Sequence, residues 1–134
     1  MANENIKTMG FHHIALKASD FEKSLEMYKA LGMKEYARWG DSEKTIALLD
    51  IGDGGKIELF SNGGDEYSEN GKWNHFAMSV DDVEAAYQTA LKAGFKPHIP
   101  PKVVPLDSSP KKISINIAFV IGPNNEQVEF FKEV

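Results

Sequence analysis

The 134-residue sequence contains no cysteine and only one arginine. Disulfide bonds and thiolate metal sites are therefore excluded, because both need the cysteine side chain. No apolar run approaches the roughly 18 residues that a membrane-spanning helix requires. The opening residues 1–7 are polar and lack the apolar stretch of a signal peptide. These absences predict a cytoplasmic protein that does not insert into a membrane.

The charges are scattered, with a net charge of −5 and no cluster of basic residues, which argues against a nucleic-acid partner. Hydrophobic residues make up 42% and charged residues 26%, as in ordinary globular proteins. A chain of this length can bury one core, so we expect a single domain over residues 1–134 with a short polar tail at 1–9.

The sequence repeats itself when it is shifted by 62 positions. The segment His13–Glu22 then falls on His75–Glu84, and Gly32–Lys34 falls on Gly94–Lys96. Each half closes on an apolar tetrad that carries one acid, Glu58 in the first and Glu129 in the second. An internal repeat of this kind indicates two copies of one structural module. We place the first module at about 10–62 and the second at about 73–134.

Both modules have the pattern of a strand, a helix and further strands. Ser19 with Glu22, and Asp81 with Glu84, have the spacing of a capping box at a helix start. Five of the six prolines lie between residues 97 and 110, which predicts either a lid or a rigid spacer there. The predicted fold is α+β with mostly antiparallel sheet. The predicted strands are 11–18, 35–39, 45–51, 56–60, 73–80, 97–105, 112–121 and 127–131.

Strand alternation places the two repeated histidines and the two repeated glutamates opposite apolar neighbours. His13, Glu58, His75 and Glu129 can therefore line one cavity, which would be walled by Phe11, Phe60, Trp73 and Phe131. Two imidazoles and two carboxylates suit a divalent cation such as Zn²⁺, Ni²⁺, Co²⁺, Fe²⁺ or Mn²⁺. Each residue alone would more often be solvated, but four in phase at repeated positions favour a metal site.

The other two histidines lack this pattern. His12 adjoins His13 but points to the opposite side of the strand, so we interpret it as structural. His98 follows a proline and has no counterpart in the repeat.

The segment His13–Met33 resembles the opening of the vicinal oxygen chelate superfamily. That superfamily includes glyoxalase I, extradiol dioxygenases, methylmalonyl-CoA epimerase, fosfomycin-resistance thiol transferases and bleomycin-resistance proteins. The segments 74–81, 117–120 and 127–130 are similar in order and spacing to short bacterial glyoxalase I, or lactoylglutathione lyase. The resemblance covers essentially the whole chain after residue 10.

The resemblance implies paired βαβββ modules whose curved sheets enclose one metal ion. It maps the metal ligands onto His13, Glu58, His75 and Glu129, with Ni²⁺ or Zn²⁺ favoured and Co²⁺ or Mn²⁺ as alternatives. In glyoxalase I the metal stabilises the enediolate that forms when the hemithioacetal of methylglyoxal and glutathione loses a proton. Glu129 would be the principal base and Glu58 its near-symmetric partner. Members of this size form homodimers, which we expect here.

Glu58 favours proton transfer over the other activities of the superfamily. Extradiol dioxygenases and thiol transferases resemble each other in using two histidines and one glutamate, without an acid at this position. The alternatives are nevertheless another superfamily metalloenzyme (an epimerase, thiol transferase or dioxygenase) or a non-catalytic small-molecule binding or resistance protein.

Two departures from glyoxalase I concern the substrate and a turn. Lys17 stands where that enzyme has an arginine for the glutathione carboxylate, so the charge is kept but the planar fork is lost. The turn before the last strand reads Gly122–Asn125 in place of the usual Asp-Pro-x-Gly, and asparagine tolerates the same backbone. Arg38 could clamp an anionic group of the substrate, with a plain surface position as the alternative.

Overall fold

The computed structural model describes residues 3–30, 32–64, 73–122 and 126–134. Within them, each module contributes one helix and a set of strands, which confirms the predicted α+β fold. Neither helix is long and apolar enough to cross a membrane in the described ranges. The elements are β1 (Gly10–Lys17), α1 (Phe21–Ala30), β2 (Lys34–Gly40), β3 (Thr45–Asp50), β4 (Lys56–Phe60), β5 (Trp73–Ser79), α2 (Val83–Lys92), β6 (Lys96–Pro105), β7 (Ser109–Pro110), β8 (Ser114–Ile121) and β9 (Gln127–Glu133).

The chain divides into two compact units. The first unit comprises His13–Asn74 with Leu106–Ile113, and the second comprises Met1–His12, His75–Pro105 and Ser114–Val134. Each unit therefore contains most of one module, and the segment Leu106–Ile113 from the second module packs with the first.

In the first unit the strand order is β1-β4-β3-β2-β7, with β1 and β4 parallel and the other neighbours antiparallel. Helix α1 covers one face of this sheet. Leu25 of the helix is buried together with Ala47, Leu49 and Leu59 of the strands. The other face carries the alternate residues of the same strands, and these include His13 and Glu58.

In the second unit the strand order is β6-β8-β9-β5, with β5 and β9 parallel and the other neighbours antiparallel. Helix α2 packs on one face, and the predicted apolar positions Val83, Tyr87 and Ala90 are buried. Val120 and Phe130 of the strands meet them there. The two units thus repeat one arrangement, in which the first strand of a module pairs in parallel with its last strand.

Both helices begin one residue later than the capping boxes predicted. Asp82, not Asp81, caps α2, because its backbone is extended (φ −130, ψ 98) and its side chain accepts a hydrogen bond from the N–H of Ala85. In α1 the carboxylate of Asp20, not the hydroxyl of Ser19, accepts the N–H of Lys23 at 3.1 Å. Aspartate is as good a cap as serine, so a pair of adjacent cap residues does not identify which one acts.

We expect Asp82→Ala to lower the free energy of unfolding by about 1 kcal/mol, because the N–H of Ala85 loses its acceptor. The neighbouring variant Asp81→Ala is the matched control and should change stability by less than about 0.5 kcal/mol. The backbone carbonyl of Asp81, which accepts from Lys132, is kept in that variant. Urea unfolding followed by circular dichroism measures both. Equal losses in the two variants would contradict the assignment of the cap.

The proline-rich stretch is mostly sheet. The predicted strand at 97–105 is confirmed as β6, which pairs antiparallel with β8. Two register shifts interrupt this pairing, between Pro97 and Ile99 and between Ile99 and Lys102, because proline has no N–H for the ladder. The strand predicted to begin at residue 112 begins at Ser114, and β7 was not predicted. The predicted turn at Gly122–Asn125 lies, after Gly122, outside the described residues.

Candidate metal centre

The first unit contains a buried pair formed by His13 of β1 and Glu58 of β4. Ala15 is the register partner of Glu58, and His13 lies two residues earlier on the same side of β1. This side faces away from α1, because Leu16 and Leu59 occupy the helix side. His13 has no exposed surface, and its Nε2 atom lies 3.4 Å from Oε1 of Glu58. The imidazole and the carboxylate are therefore directed at each other.

The second unit contains the equivalent pair, formed by His75 of β5 and Glu129 of β9. Ala77 is the register partner of Glu129, so the histidine again lies two residues before the partner of the acid. Nε2 of His75 lies 3.0 Å from Oε1 of Glu129, and both residues are buried. The ring of Phe119 stands edge-on to the imidazole with its centroid 5.1 Å away. Each unit thus builds one His–Glu pair by the same register.

The donor atoms of these pairs fit a divalent metal. Two ligand atoms that each lie about 2.1 Å from one ion are separated by about 3.0 Å at a 90° angle and about 3.4 Å at a tetrahedral angle. The separations of 3.0 Å and 3.4 Å observed within the pairs have these values. Burying a carboxylate without a compensating partner is expensive, so a cation is a natural companion for such groups. His13, His75 and Glu129 are each groups that could bind a metal ion.

The amino-acid sequence matches a known protein family. A model of the Glyoxalase/Bleomycin resistance protein/Dioxygenase superfamily matches residues 10–109. The chain belongs to this superfamily. It is 31% identical over 128 residues to "Probable lactoylglutathione lyase" of Vibrio cholerae serotype O1, covering 90% of this chain and 88% of that protein. It is 30% identical to lactoylglutathione lyase of Haemophilus influenzae, covering 90% of each.

Solved structures of other proteins have the same fold. Methylmalonyl-CoA epimerase from Mycobacterium tuberculosis superimposes with a TM-score of 0.65 at 16% identity, covering 100% of this chain and 93% of that chain. A hypothetical protein from Bacillus halodurans C-125 gives a TM-score of 0.68 at 22% identity, covering 93% and 94%. At these identities the likeness concerns the fold alone, and it confirms the predicted architecture of paired βαβββ modules.

The four aromatic residues predicted to wall the cavity have different environments. Phe131 is fully buried, and its ring centroid lies 4.0 Å from that of His12. Phe60 is half-buried, with the Lys44 ammonium 5.3 Å from its ring centroid. Phe11 is 55% exposed and Trp73 is 39% exposed. Phe131 shares its side of β9 with Glu129, and a contact of any of the four with substrate stays a prediction.

Lys17 lies on the same side of β1 as His13, four residues further on, and is half-buried. Its register partner on β4 is Phe60. This position keeps Lys17 a candidate for binding an anionic group of the substrate.

Arg38 lies on the helix side of the first unit's sheet, because its register partner is the buried Ala47. Its guanidinium donates two hydrogen bonds to Glu35, at 2.6 and 3.0 Å, and lies 5.5 Å from the ring centroid of Phe21. Burial would raise the pKa of Glu35, but hydrogen bonds from Arg38 and Lys29 outweigh it and hold the pKa below its usual value. The arrangement gives Arg38 a structural role on the face opposite Glu58, and its predicted role as a substrate clamp has no support from this position.

A cavity of about 340 Å³ in the second unit is lined by apolar residues that include Met9, Phe76, Met78 and Phe130. Phe76, Met78 and Phe130 alternate with His75 and Glu129 along their strands and therefore lie on the α2 side of the sheet. This cavity is separate from the candidate metal centre.

Sequence reasoning missed Phe119 and Lys56. Phe119 is the register partner of Glu129, and Lys56 is the register partner of His13, so both lie beside a candidate ligand. The signal was present for Lys56, because it precedes Glu58 by two residues and shares its side of β4. The second module has no lysine at the equivalent position, so the internal repeat does not mark Lys56.

Proposed function

We propose that this chain is a metal-dependent lyase or isomerase of glyoxalase I type. It moves a proton between neighbouring carbons of a hemithioacetal or a similar α-hydroxycarbonyl. The observation that carries the proposal is the pair of buried His–Glu contacts, one in each unit, with equivalent registers. Two histidines and two glutamates at these positions match the ligands expected for glyoxalase I and exceed the two histidines and one glutamate of the dioxygenases.

The proposed ligands of one divalent ion are His13, Glu58, His75 and Glu129. Their chemistry suits a borderline cation, and Ni²⁺ or Zn²⁺ is favoured over Co²⁺ or Mn²⁺. When bound, such an ion supplies Lewis-acid stabilisation of the negative charge that develops on oxygen as a carbon acid loses its proton.

Glu129 is the proposed base. A carboxylate has two oxygens, so one oxygen of Glu129 could be a ligand while the other accepts a proton. Glu129 is buried, so a proton taken from one carbon is shielded from exchange with bulk water and can be returned to the next. Glu58 is its counterpart in the first unit and the proposed partner in the same transfer.

The substrate is proposed from the curated relatives named lactoylglutathione lyase, of which the chain covers about nine tenths. Lys17 is proposed to contact a carboxylate of that substrate as a point charge. Phe11, Phe60 and Trp73 are proposed to contact its apolar part. A homodimer in the cytoplasm stays a prediction, and light scattering would check it against the 14.9 kDa chain mass.

The test is turnover of the hemithioacetal of methylglyoxal and glutathione. Protein stripped of metal should be inactive, and reloading with Ni²⁺ or with Zn²⁺ should restore thioester formation in at least one sample. The matched control is reloaded protein that carries Glu129→Gln, measured at the same metal content. If neither metal restores turnover although both are bound, the proposed substrate is wrong.

A further inference from the structure

The cavity on the α2 side of the second unit has the size and lining of a ligand site. Its volume is about 340 Å³, which lies within the range of small-molecule pockets. Three phenylalanines and two methionines contribute to its walls, namely Phe76, Phe95, Phe130, Met9 and Met78. An apolar space of this size has room for a small organic molecule, which would gain more contacts there than water does.

The internal repeat explains why this space is open. Under the shift of 62 positions, Ala90 of α2 corresponds to Tyr28 of α1. The Tyr28 side chain packs against the core of the first unit, which contains Leu25 and Leu59. Ala90 is buried at the equivalent place in the second unit but contributes only a methyl group. The cavity therefore comes from the residue at this position, and the shared module does not require it.

A segment that lies before the repeat forms another wall of the cavity. The side chain of Asn3 accepts hydrogen bonds from the N–H groups of Asn5 and Ile6 at 2.9 and 2.7 Å. The N–H of Met9 donates to the carbonyl of Ile6 at 3.3 Å. Thr8 between them has a left-handed backbone with φ 66, which is rare for a β-branched residue. These contacts hold Ile6 and Met9 against the core under α2.

The cavity is open at one end and closed at the other. Asn3, Asn5 and Ala93 line it and are exposed, so they mark its mouth. Ala90 and Phe130 line it and are buried, so they form its floor. A small molecule can therefore enter from solvent without any opening of the core.

The charges around the cavity select the class of ligand. Among the described residues that line it, Glu126 carries the one charged side chain, and none is lysine, arginine or histidine. A ligand carboxylate would be desolvated beside a like charge and would meet no cation. Phenylalanine rings and methionine sulfurs make favourable contacts with an aromatic ring. The lining thus favours an uncharged aromatic molecule over an anionic one.

We propose that this cavity binds a small uncharged aromatic molecule at a site separate from the candidate metal centre. The site is independent of the proposed function, because no proposed metal ligand lines it. Phe76 and Phe130 directly follow His75 and Glu129 in the chain. The molecule would therefore pack on the reverse side of the two strands that carry these residues.

The test is a titration of the full chain with 2-naphthol, followed by NMR of methionine methyl groups labelled with ¹³C. Met9 and Met78 line the cavity, whereas Met27 and Met33 belong to the first unit and are internal controls. The signals of Met9 and Met78 should shift and saturate with a Kd between about 10 μM and 1 mM, as expected for about eleven non-hydrogen atoms. Those of Met27 and Met33 should stay in place.

Two variants fill the cavity from its two ends. Ala93→Phe places a ring at the mouth, and Ala90→Leu extends a side chain from the floor. Each should raise the Kd for 2-naphthol at least about tenfold. Gln88→Phe is the matched control, because Gln88 is an exposed residue of α2 that does not line the cavity. Its Kd should stay within about twofold of the wild-type value.

A second ligand tests the charge requirement. Naphthalene-2-carboxylate has the same ring system with a negative charge, and it should bind at least about tenfold more weakly than 2-naphthol. Equal affinity for the two would overturn the assigned ligand class. The site itself would be refuted by an absence of shifts at Met9 and Met78, by equal shifts at all four methionines, or by unchanged binding in both Ala93→Phe and Ala90→Leu. None of these readouts uses turnover, so the proposed function can fail while the site stands.

Discussion

The variant His75→Gln is expected to lose its metal and at least about a thousandfold of its turnover. Loss of a group that only orients a metal ligand already costs 10–100-fold in metal affinity, so loss of a ligand should cost more than about a hundredfold. The Nε2 atom of His75 lies 3.0 Å from Glu129, and the substitution also removes the partner of that buried acid. Turnover should fall by a larger factor than metal affinity, because proton transfer requires all four proposed ligands together.

The measurement is metal content after dialysis against a weak chelator, determined alongside hemithioacetal turnover. His98→Gln is the matched control. His98 is exposed, and its ring centroid lies 6.4 Å from that of Phe119, which is also the ring next to His75. It should keep its metal and its activity. Full metal content in His75→Gln would contradict the assignment of His75 as a ligand, whatever the activity.

The part of the site that could be predicted from the sequence is the part that the chain repeats. His13 and His75 open their modules at equivalent positions, and Glu58 and Glu129 close them. The histidine and the glutamate are further apart along the chain in the second module than in the first. The two pairs are nevertheless equivalent in space, because β1 pairs with β4 and β5 pairs with β9 in the same parallel register. Local periodicity therefore sufficed for the helices, most of the strands and the side of each strand on which these four residues lie.

The side on which Arg38 lies could not be predicted, because it depends on an irregularity in strand pairing. Alternation assigns faces correctly only while the register is regular, and the extra residue at Tyr36 places Glu35 and Arg38 on the same side. That displacement lets the guanidinium bind Glu35 and approach Phe21 of α1. No sequence signal near residue 36 marks the bulge.

The contact between Tyr36 and Lys111 was also beyond sequence reasoning. It joins residues 75 positions apart and depends on β7, a strand of two residues that pairs with β2. Short strands in a proline-rich stretch have no periodic pattern to recognise. Such a contact forms because a segment of the second module pairs with a strand of the first, and neither composition nor residue spacing predicts that pairing.

The variant Glu129→Gln is expected to lower kcat by about a hundredfold to ten-thousandfold while the metal is retained. The amide keeps the shape of the side chain and an oxygen that can remain a ligand, but it cannot take up a proton at neutral pH. The substitution thus separates two roles that the carboxylate combines. Hemithioacetal turnover and metal content, measured on the same preparation, report the two roles independently.

Glu58→Gln is the internal comparison, since it makes the same chemical change in the other unit. The Glu58 carboxylate lies 3.4 Å from His13, whereas Glu129 lies 3.0 Å from His75, so the two acids are similar but not identical in their surroundings. We expect the loss in Glu58→Gln to be at least about ten times smaller, because the partner acid assists the transfer without performing the first proton abstraction. The reverse ratio would make Glu58 the principal base. Full activity in Glu129→Gln with metal bound would contradict both the assignment of Glu129 as the base and the proposed proton transfer through it.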